Sequence, residues 1–377
     1  MANPVSAKTR ILLIEDSNTD ALLIQSHLKK ADATFVVRRE ERLEDGLQQI
    51  DRGEADVVLL DLNLPDSAGL DTFRAVYRQA VQVPIVVLSG QDDVELAVAA
   101  VSMGAQDYLP KGEANRSSLA RSVRYAIERS RRQRAEQELA AAGEIQRRLF
   151  PQSAPTTLGF DIYGRCEPAF SAGGDYFDYF PMHHESLGVV VADVAGHGIG
   201  PALIMSETRA ILRSLATTYE DPGEILTQAN LVLSEDLHNN VFVALMLVRL
   251  DIKRRRMEFA SAGHPGLLFD GNGQLRERIR SCDPPLGVVD SQSFTTYPAI
   301  ELATGDTVLL YTDGIIESFN ESEEQFGEQR MIDIVAETST ESSRTTVDEI
   351  FRRVRAYSSD SYYQDDQTAV IVRATPE

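Results

Sequence analysis

The 377-residue sequence predicts two domains of different class. A doubly wound α/β domain on a five-stranded parallel sheet comes first. A long helix then leads into an α+β sandwich of antiparallel sheets flanked by helices. Three observations carry this. The length exceeds what one ordinary core organises. Residues 11–109 repeat short apolar runs followed by amphipathic stretches, the mark of βα units. The second half strings strands together and keeps its helices in pairs, and a proline-free stretch, 117–150, separates the two patterns.

In order, residues 11–15 form an apolar run ending in acid, followed by an amphipathic helix over 20–30. A short strand (35–38), a helix (43–52) and a fully apolar strand (57–60) come next. The turn 65–69 leads to another helix, then strand 85–88, helix 95–103 and a last short strand at 108–109. Ligands of doubly wound sheets bind at the carboxyl ends of the strands, where the polar residues fall. Glu15 and Asp16 close the first strand, Asp61 the third and Ser89 the fourth, and Lys111 follows the fifth. Singly each is bland, since Asp16 serves equally as a helix cap. Together they fit a phosphoaspartate switch: Glu15 and Asp16 hold Mg²⁺, Asp61 attacks phosphorus, and Lys111 and Ser89 bind phosphoryl oxygens.

The motifs ILLIEDS, VVLLDLNLPDSAGL, IVVLSG and GAQDYLPKG resemble the flavodoxin-like receiver domain of two-component response regulators, over residues 8–125. The resemblance implies Asp61 as phosphoacceptor, Glu15, Asp16 and Asp61 as Mg²⁺ acids and Asn63 as a backbone carbonyl ligand. It implies Ser89 and Tyr108 as switch residues and Lys111 as the phosphoryl-binding lysine. The donor would be a sensor histidine kinase or phosphotransfer protein. The family usually places proline directly after the lysine. Here Pro110 precedes Lys111 and Gly112 follows, which leaves the local peptide geometry open but not the lysine's role.

Helix formers dominate 117–150. Leu119, Val123, Ala126 and Ile127 form an apolar stripe, which resumes as Leu139, Ala142, Ile145 and Leu149. Pro151 and Pro155 end the helix. Its heptads are imperfect, so a two-stranded coiled coil that makes a homodimer competes with a solvated single helix. Arginines 129, 131, 132 and 134 stand among glutamates 128, 136 and 138, as on a solvated face.

Beyond it, strands are expected at 160–165, 176–181 and 188–192, and helices at 200–216 and 222–237. Strands 242–251, 257–261 and 266–269 follow, with a hairpin turn at Gly271-Asn272-Gly273. Strand 307–311, helices 328–338 and 346–358, and strand 368–373 complete the domain, 151–377. Four aspartates stand at strand ends beside or near glycines: Asp175 in GGDYFD, Asp193 in DVAGHG, Asp313 in YTDG and Asp365 in QDDQT. Such carboxylates are what hard divalent cations require, and the cluster points to metal-assisted phosphate-ester hydrolysis. GGDYF invites a diguanylate cyclase reading, but Tyr176 stands where that turn needs glutamate.

GGDYFD, VVVADVAGHGIGPALIM, FASAGHP, LLYTDGIIES, FGEQRM and DDQTAVIV together resemble the metal-dependent protein phosphatases (protein phosphatase 2C-like), in the bacterial SpoIIE/RsbU branch, over residues 140–377. The lead-in EIQRRLFPQ looks like that branch's entry helix. The resemblance implies a binuclear Mn²⁺ or Mg²⁺ centre on Asp175 and Asp193, with the Val194 carbonyl as backbone ligand. Asp313 and Asp365 complete one metal's shell, with Asp366 a weaker candidate. The reaction implied is hydrolysis of phosphoserine or phosphothreonine, on a phosphorylated STAS-domain anti-sigma factor antagonist. His197 either protonates the leaving alkoxide or braces its loop, and His264 is structural. Asp178 either supports the metal site or caps a strand, and 320–324 is an acidic flap or a solvated loop.

Composition narrows the classes. The formal net charge of −21 argues against nucleic acid and against anionic membrane as partners. Cys166 and Cys282 lack zinc-ligand spacing and read as small buried residues in a reducing compartment. The N-terminus carries no signal-peptide core, and no segment is long enough to span a bilayer, so a cytoplasmic protein is expected. A catalytically silent adaptor and a DNA-binding regulator are the competing classes. The intact acid set argues against the first, and the charge with no helix-turn-helix pattern against the second.

Overall fold

The computed structural model describes residues 8–90, 94–196, 198–237, 241–281, 283–358 and 365–376. The chain forms two compact units, Met1–Glu138 and Leu139–Glu377.

The first unit alternates β1 (Thr9–Ile14), α1 (Asn18–Ala31), β2 (Phe35–Glu40), α2 (Leu43–Asp51) and β3 (Val57–Asp61). A small unpredicted hairpin, β4 (Asn63–Leu64) and β5 (Ser67–Ala68), precedes α3 (Leu70–Gln79). Then come β6 (Ile85–Ser89), α4 (Val94–Ser102), β7 (Asp107–Pro110) and α5 (Arg116–Arg147). The five main strands are parallel in the order β2-β1-β3-β6-β7. Leu12, Ile14, Val58 and Leu60 pack on one face with Phe73 and Val76 of α3. Ile11, Leu13, Val57 and Leu59 pack on the other with Ile24 of α1 and Leu119 and Val123 of α5. Burial on both faces is why these strands read as continuous apolar runs. The order reverses between β1 and β3, so the ligand crevice opens at their carboxyl ends.

Helix α5 is unbroken from Arg116 to Arg147. It ends three residues before the predicted limit, where Arg148 and Leu149 close a turn onto Ile145 and Gln146.

The second unit stacks two five-stranded antiparallel sheets. One contains β9 (Tyr176–Met182), β10 (Ser186–Val194), β11 (Val243–Asp251), β12 (Arg256–Ala262) and β15 (Tyr297–Glu301). The other contains β8 (Phe160–Glu167), β13 (Gly266–Phe269), β14 (Leu275–Ile279), β16 (Thr307–Tyr311) and β17 (Gln367–Ala374). Phe177, Val189, Val191 and Met246 meet Val308, Leu310, Val370 and Val372 between the sheets. The alternate residues Tyr176, Phe180, Val190 and Ala192 face α6 (Ile199–Leu215) and α7 (Pro222–Asp236). Leu309, Tyr311, Ala369 and Ile371 pack on α9 (Gly327–Glu337) and α10 (Ser343–Tyr357). This two-residue alternation is what one-sided burial imposes on a strand. The predicted Gly271–Gly273 turn does close a hairpin, with Gly273 N–H on the Asp270 carbonyl at 2.9 Å. Its second strand, β14, was not predicted. Asp313 is a correction: it opens a short helix, α8 (Asp313–Ile316), rather than ending a strand.

Candidate functional site

Each unit carries one acidic centre. In the first, β1 and β3 are neighbours, so Glu15, Asp16 and Asp61 converge just past their ends. One carboxylate oxygen from each lies within 4.8 Å of the others. Glu15 and Asp61 are buried and Asp16 is exposed. Lys111 Nζ lies 2.6 Å from Asp61, 2.8 Å from Glu15 and 3.3 Å from Asp20. Burial works to lower the Lys111 pKa, but hydrogen bonds to Asp61 and Glu15 hold it well above the ordinary lysine value. Burial raises the Glu15 carboxyl above its usual range, against the pull of Lys111. The displaced proline does not divert the lysine. Pro110 pairs opposite Ser89 on β6, and Lys111 opens a short 3-10 turn from which its ammonium still reaches the acids.

Asn63 donates its backbone N–H to Asp61 at 3.1 Å. Ser89 is buried, and its hydroxyl has no hydrogen-bond partner among the described residues. Tyr108 is half-buried against the core around Phe73. Sequence reading missed Arg39, which donates to the Glu15 and Asp16 carbonyls at 3.0 and 2.8 Å and fixes the acidic loop. It also missed Asp20 as a lysine partner. Neither stands out in sequence, because both look like ordinary exposed charge.

In the second unit the adjacent strands β9 and β10 bring Asp175 and Asp193 to one sheet end, with Tyr176 opposite Ala192. Asp313 and Asp365 follow β16 and precede β17, which pair with Tyr311 opposite Ala369. Asp175 is buried, and its Oδ2 accepts the hydroxyls of Thr312 at 2.7 Å and Thr368 at 2.6 Å. Burial and then Asp193 push the Asp175 carboxyl well above its normal value, despite those hydroxyls. Asp193 is raised to about 7 by burial, then by Asp313, Asp365 and Asp366. Burial and Glu317 raise Asp313. No basic side chain is among the causes of these three shifts. An all-oxygen donor set whose carboxyls are raised by burial and neighbouring acids fits a hard divalent cation. The set is wider than the first centre: among the described residues only Glu15, Asp16 and Asp61 place three ligand atoms within 4.8 Å.

Asp366 is placed differently from its neighbour. Its carboxylate accepts backbone N–H groups from Ala169 at 2.8 Å, Gly174 at 2.7 Å and Asp175 at 3.4 Å. It therefore shapes the Gly-Gly-Asp loop. A side chain on Gly174 would bring a Cβ within 2.5 Å of the Val194 carbonyl, so glycine is what lets the two acidic loops approach. The loop is also gripped from behind. Gln146, near the end of α5, donates to the Gly173 carbonyl at 2.7 Å and accepts the Gly173 N–H at 3.0 Å.

Tyr176, the residue that set the cyclase reading aside, is buried with its hydroxyl 2.7 Å from Asp178. Asp178 is fully buried and bound by Arg213 of α6. His264 is buried with Nδ1 2.9 Å from the Pro265 carbonyl, and burial lowers its pKa to about 4. Residues 320–324 form a tight turn, Asn320 Oδ1 accepting the N–H groups of Ser322 and Glu324 at 2.9 Å. The Cys166 thiol is pushed up by burial and then by Asp175. His197 and Cys282 lie outside the described residues.

A family model described as "Stage II sporulation protein E (SpoIIE)" matches residues 183–375, half of the chain, and "Response regulator receiver domain" matches 11–124. Among curated proteins, Protein IcfG of a Synechocystis species is 23% identical over 261 residues, 62% of this chain and 41% of its own length. Phosphoserine phosphatase RsbU of Bacillus subtilis is 27% identical over 191 residues, 50% of this chain and 56% of its own. The chain spans about half the length of the curated relatives it matches. Among solved structures, the SiaA-PP2C domain of Pseudomonas aeruginosa superposes with a TM-score of 0.57 at 22% identity. The match covers 64% of this chain and 98% of that domain, and shows a shared fold.

Proposed function

The chain belongs to the SpoIIE family, with a response-regulator receiver domain ahead of it, and on that premise we propose a metal-dependent protein serine/threonine phosphatase controlled by phosphorylation of Asp61. The observation that carries the reading is the convergence of Asp175, Asp193, Asp313 and Asp365, with the carboxyls of Asp175, Asp193 and Asp313 raised by burial and by neighbouring acids.

In this reading Asp175, Asp193, Asp313 and Asp365, with the Val194 carbonyl, hold two divalent cations, Mn²⁺ or Mg²⁺. A donor set too wide for one ion suits two. When bound, the cations acidify a water and neutralise charge on the transferring phosphoryl group. The chain's own part is placement. Thr312 and Thr368 occupy one oxygen of Asp175 and leave the other for metal. Asp366 and Gln146 fix the loop that carries Asp175. No cysteine acts as nucleophile.

In the receiver, an Asp61 carboxylate oxygen attacks the phosphorus of a phosphohistidine, the P–N bond breaks, and an aspartyl phosphate forms. Glu15, Asp16 and Asp61, with the Asn63 carbonyl, would hold Mg²⁺ there. Lys111 and the unpartnered Ser89 hydroxyl take the phosphoryl oxygens, and Tyr108 follows Ser89. The phosphate source is a sensor kinase or phosphotransfer protein. The substrate is a phosphorylated STAS-domain anti-sigma factor antagonist; the similarity to the phosphoserine phosphatase RsbU supports the phosphoserine part of this reading. Leu139 and Ile145, exposed on α5, would pair two copies through the connector. No described helix is long and apolar enough to cross a membrane, and a cytoplasmic location fits the partners.

The test is Mn²⁺-dependent phosphate release from a panel of phosphorylated STAS proteins, with Asp313→Asn as control. Turnover by the wild type and none by the variant is expected. Absence of turnover on the panel, on a generic phosphopeptide and on an aryl phosphate would sink the enzyme reading.

A further inference from the structure

Asp178 is a carboxylate with 0% exposure that accepts four hydrogen bonds and has a second arginine nearby. Arg213 Nε and Nη2 approach at 2.6 and 2.7 Å, one on each oxygen. The Tyr176 hydroxyl donates at 2.7 Å and the Tyr179 N–H at 2.8 Å, while Arg209 Nε stands 3.5 Å away. Arg213 also donates to the Tyr179 carbonyl at 3.2 Å. Sequence reading left Asp178 open and overlooked both arginines, which look like exposed helix residues.

A buried ion pair is a weak source of stability, because desolvation offsets most of its attraction, and an apolar pair would pack as well. What such a pair does supply is geometry. The partners of Asp178 are not scattered. Tyr176 directly follows Asp175 in the chain and lies opposite Ala192, which directly precedes Asp193. Arg209 and Arg213 sit one turn apart on α6, the helix that starts at Ile199, five residues after Val194. One carboxylate thus ties the strand that begins at Asp175 to the helix that continues the Asp193–Gly198 loop.

We propose that Asp178 is a positioning residue: through Tyr176 and Arg213 it sets the spacing between the Asp175 carboxylate and the Asp193–Val194 loop, and so sets the affinity for divalent metal. This rests on the metal-centre reading above. Groups that orient metal ligands without touching the ion cost roughly 10–100-fold in metal affinity when removed.

The experiment compares full-length wild type with Tyr176→Phe and Arg213→Lys, which keep bulk or charge but lose the hydroxyl or the two-pronged contact. Arg249→Lys is the control. It loosens an ion pair with Glu258 (2.8 Å) on the same sheet, away from the acids. Mn²⁺ binding is read by titration calorimetry, melting temperature in chelator, and phosphate release against Mn²⁺ concentration. Tyr176→Phe and Arg213→Lys should bind Mn²⁺ roughly 10–100-fold more weakly, melt close to wild type in chelator, and regain turnover at high Mn²⁺. Arg249→Lys should keep wild-type affinity. Unchanged affinity in both site variants, or an equal loss in the control, overturns the proposal. Mn²⁺ binding by the wild type without turnover sinks the phosphatase reading instead, and weakened binding in the variants still supports the positioning role.

Discussion

Two aspartates of the second acidic centre, Asp366 of QDDQT and Asp193 of DVAGHG, do opposite things. Asp366 has both oxygens committed to backbone N–H groups, whereas Asp193 is surrounded by other acids. Removing them should shift stability in opposite directions. In chelated protein Asp366→Asn leaves Gly174 or Ala169 without a full acceptor and should destabilise by about 1–3 kcal/mol. Asp193→Asn relieves repulsion and should melt at or above wild type, yet bind no Mn²⁺. Equal melting of the two variants in chelator would contradict this division. The pH dependence follows from the same repulsion. Asp193 titrates near 7 in the folded, metal-free chain, above the ordinary 3.8 of an aspartate. The folded state therefore binds the extra proton in that interval. The stabilisation is complete below about 3.8 and is lost as pH rises through about 7. Melting temperature in chelator should fall between pH 6 and 8 (roughly one unit either side of that value), and less so in Asp193→Asn. With Mn²⁺ the slope should reverse, because metal takes the deprotonated carboxylates.

At the scale of elements, the end of α5 decides how the Asp175 loop is held. A Cβ on Gly143 would lie 1.8 Å from the Ser171 carbonyl oxygen, so the helix can lie against the loop only because that position is glycine. Gly143→Ala should force them apart and cost about 1–3 kcal/mol by overpacking, with a matching fall in Mn²⁺-dependent turnover. A variant with wild-type melting and turnover would show that the contact is incidental. In the sequence Gly143 reads as a weak position in an alanine-rich helix, because its reason lies 28 residues away. The same limit explains Gln146 and Arg213. The buried strands were legible because two-sided or alternating burial prints itself on the residues. Polar residues at strand ends marked the first acidic centre, and acids near glycines marked the second. β14 (LRERI) and β15 (YPAIE) were not legible, since edge strands with mostly exposed side chains carry no apolar period. Asp313 was misjudged by one element because α8 is only four residues long and Thr312, its cap, looks like the end of the strand.

At the scale of the whole chain, the two centres are joined by one helix. Leu119, Val123 and Ala126 of α5 belong to the receiver core, and Gln146 of the same helix holds Gly173 beside Asp175. No proline interrupts it, and its backbone is helical from Arg116 to Arg147. A change in the receiver surface on phosphorylation therefore has a continuous element along which to reach the loop that carries Asp175. Coupling of this kind is typically worth about 1–3 kcal/mol, a roughly 5–150-fold change in the coupled equilibrium. The full-length protein, assayed on phosphorylated substrate with and without an acyl-phosphate donor, should show two different rates. Asp61→Asn, which keeps the Lys111 neighbour but loses the attacking oxygen, should show one rate under both conditions. Exposed Leu139 and Ile145 add a second reading of the same experiment. If the connector works by pairing two copies, Leu139→Glu with Ile145→Glu should sediment as monomer and lose the donor response while keeping basal turnover. A single rate for wild type with and without donor, at full Asp61 phosphorylation by mass, would mean that α5 joins the two centres without coupling them.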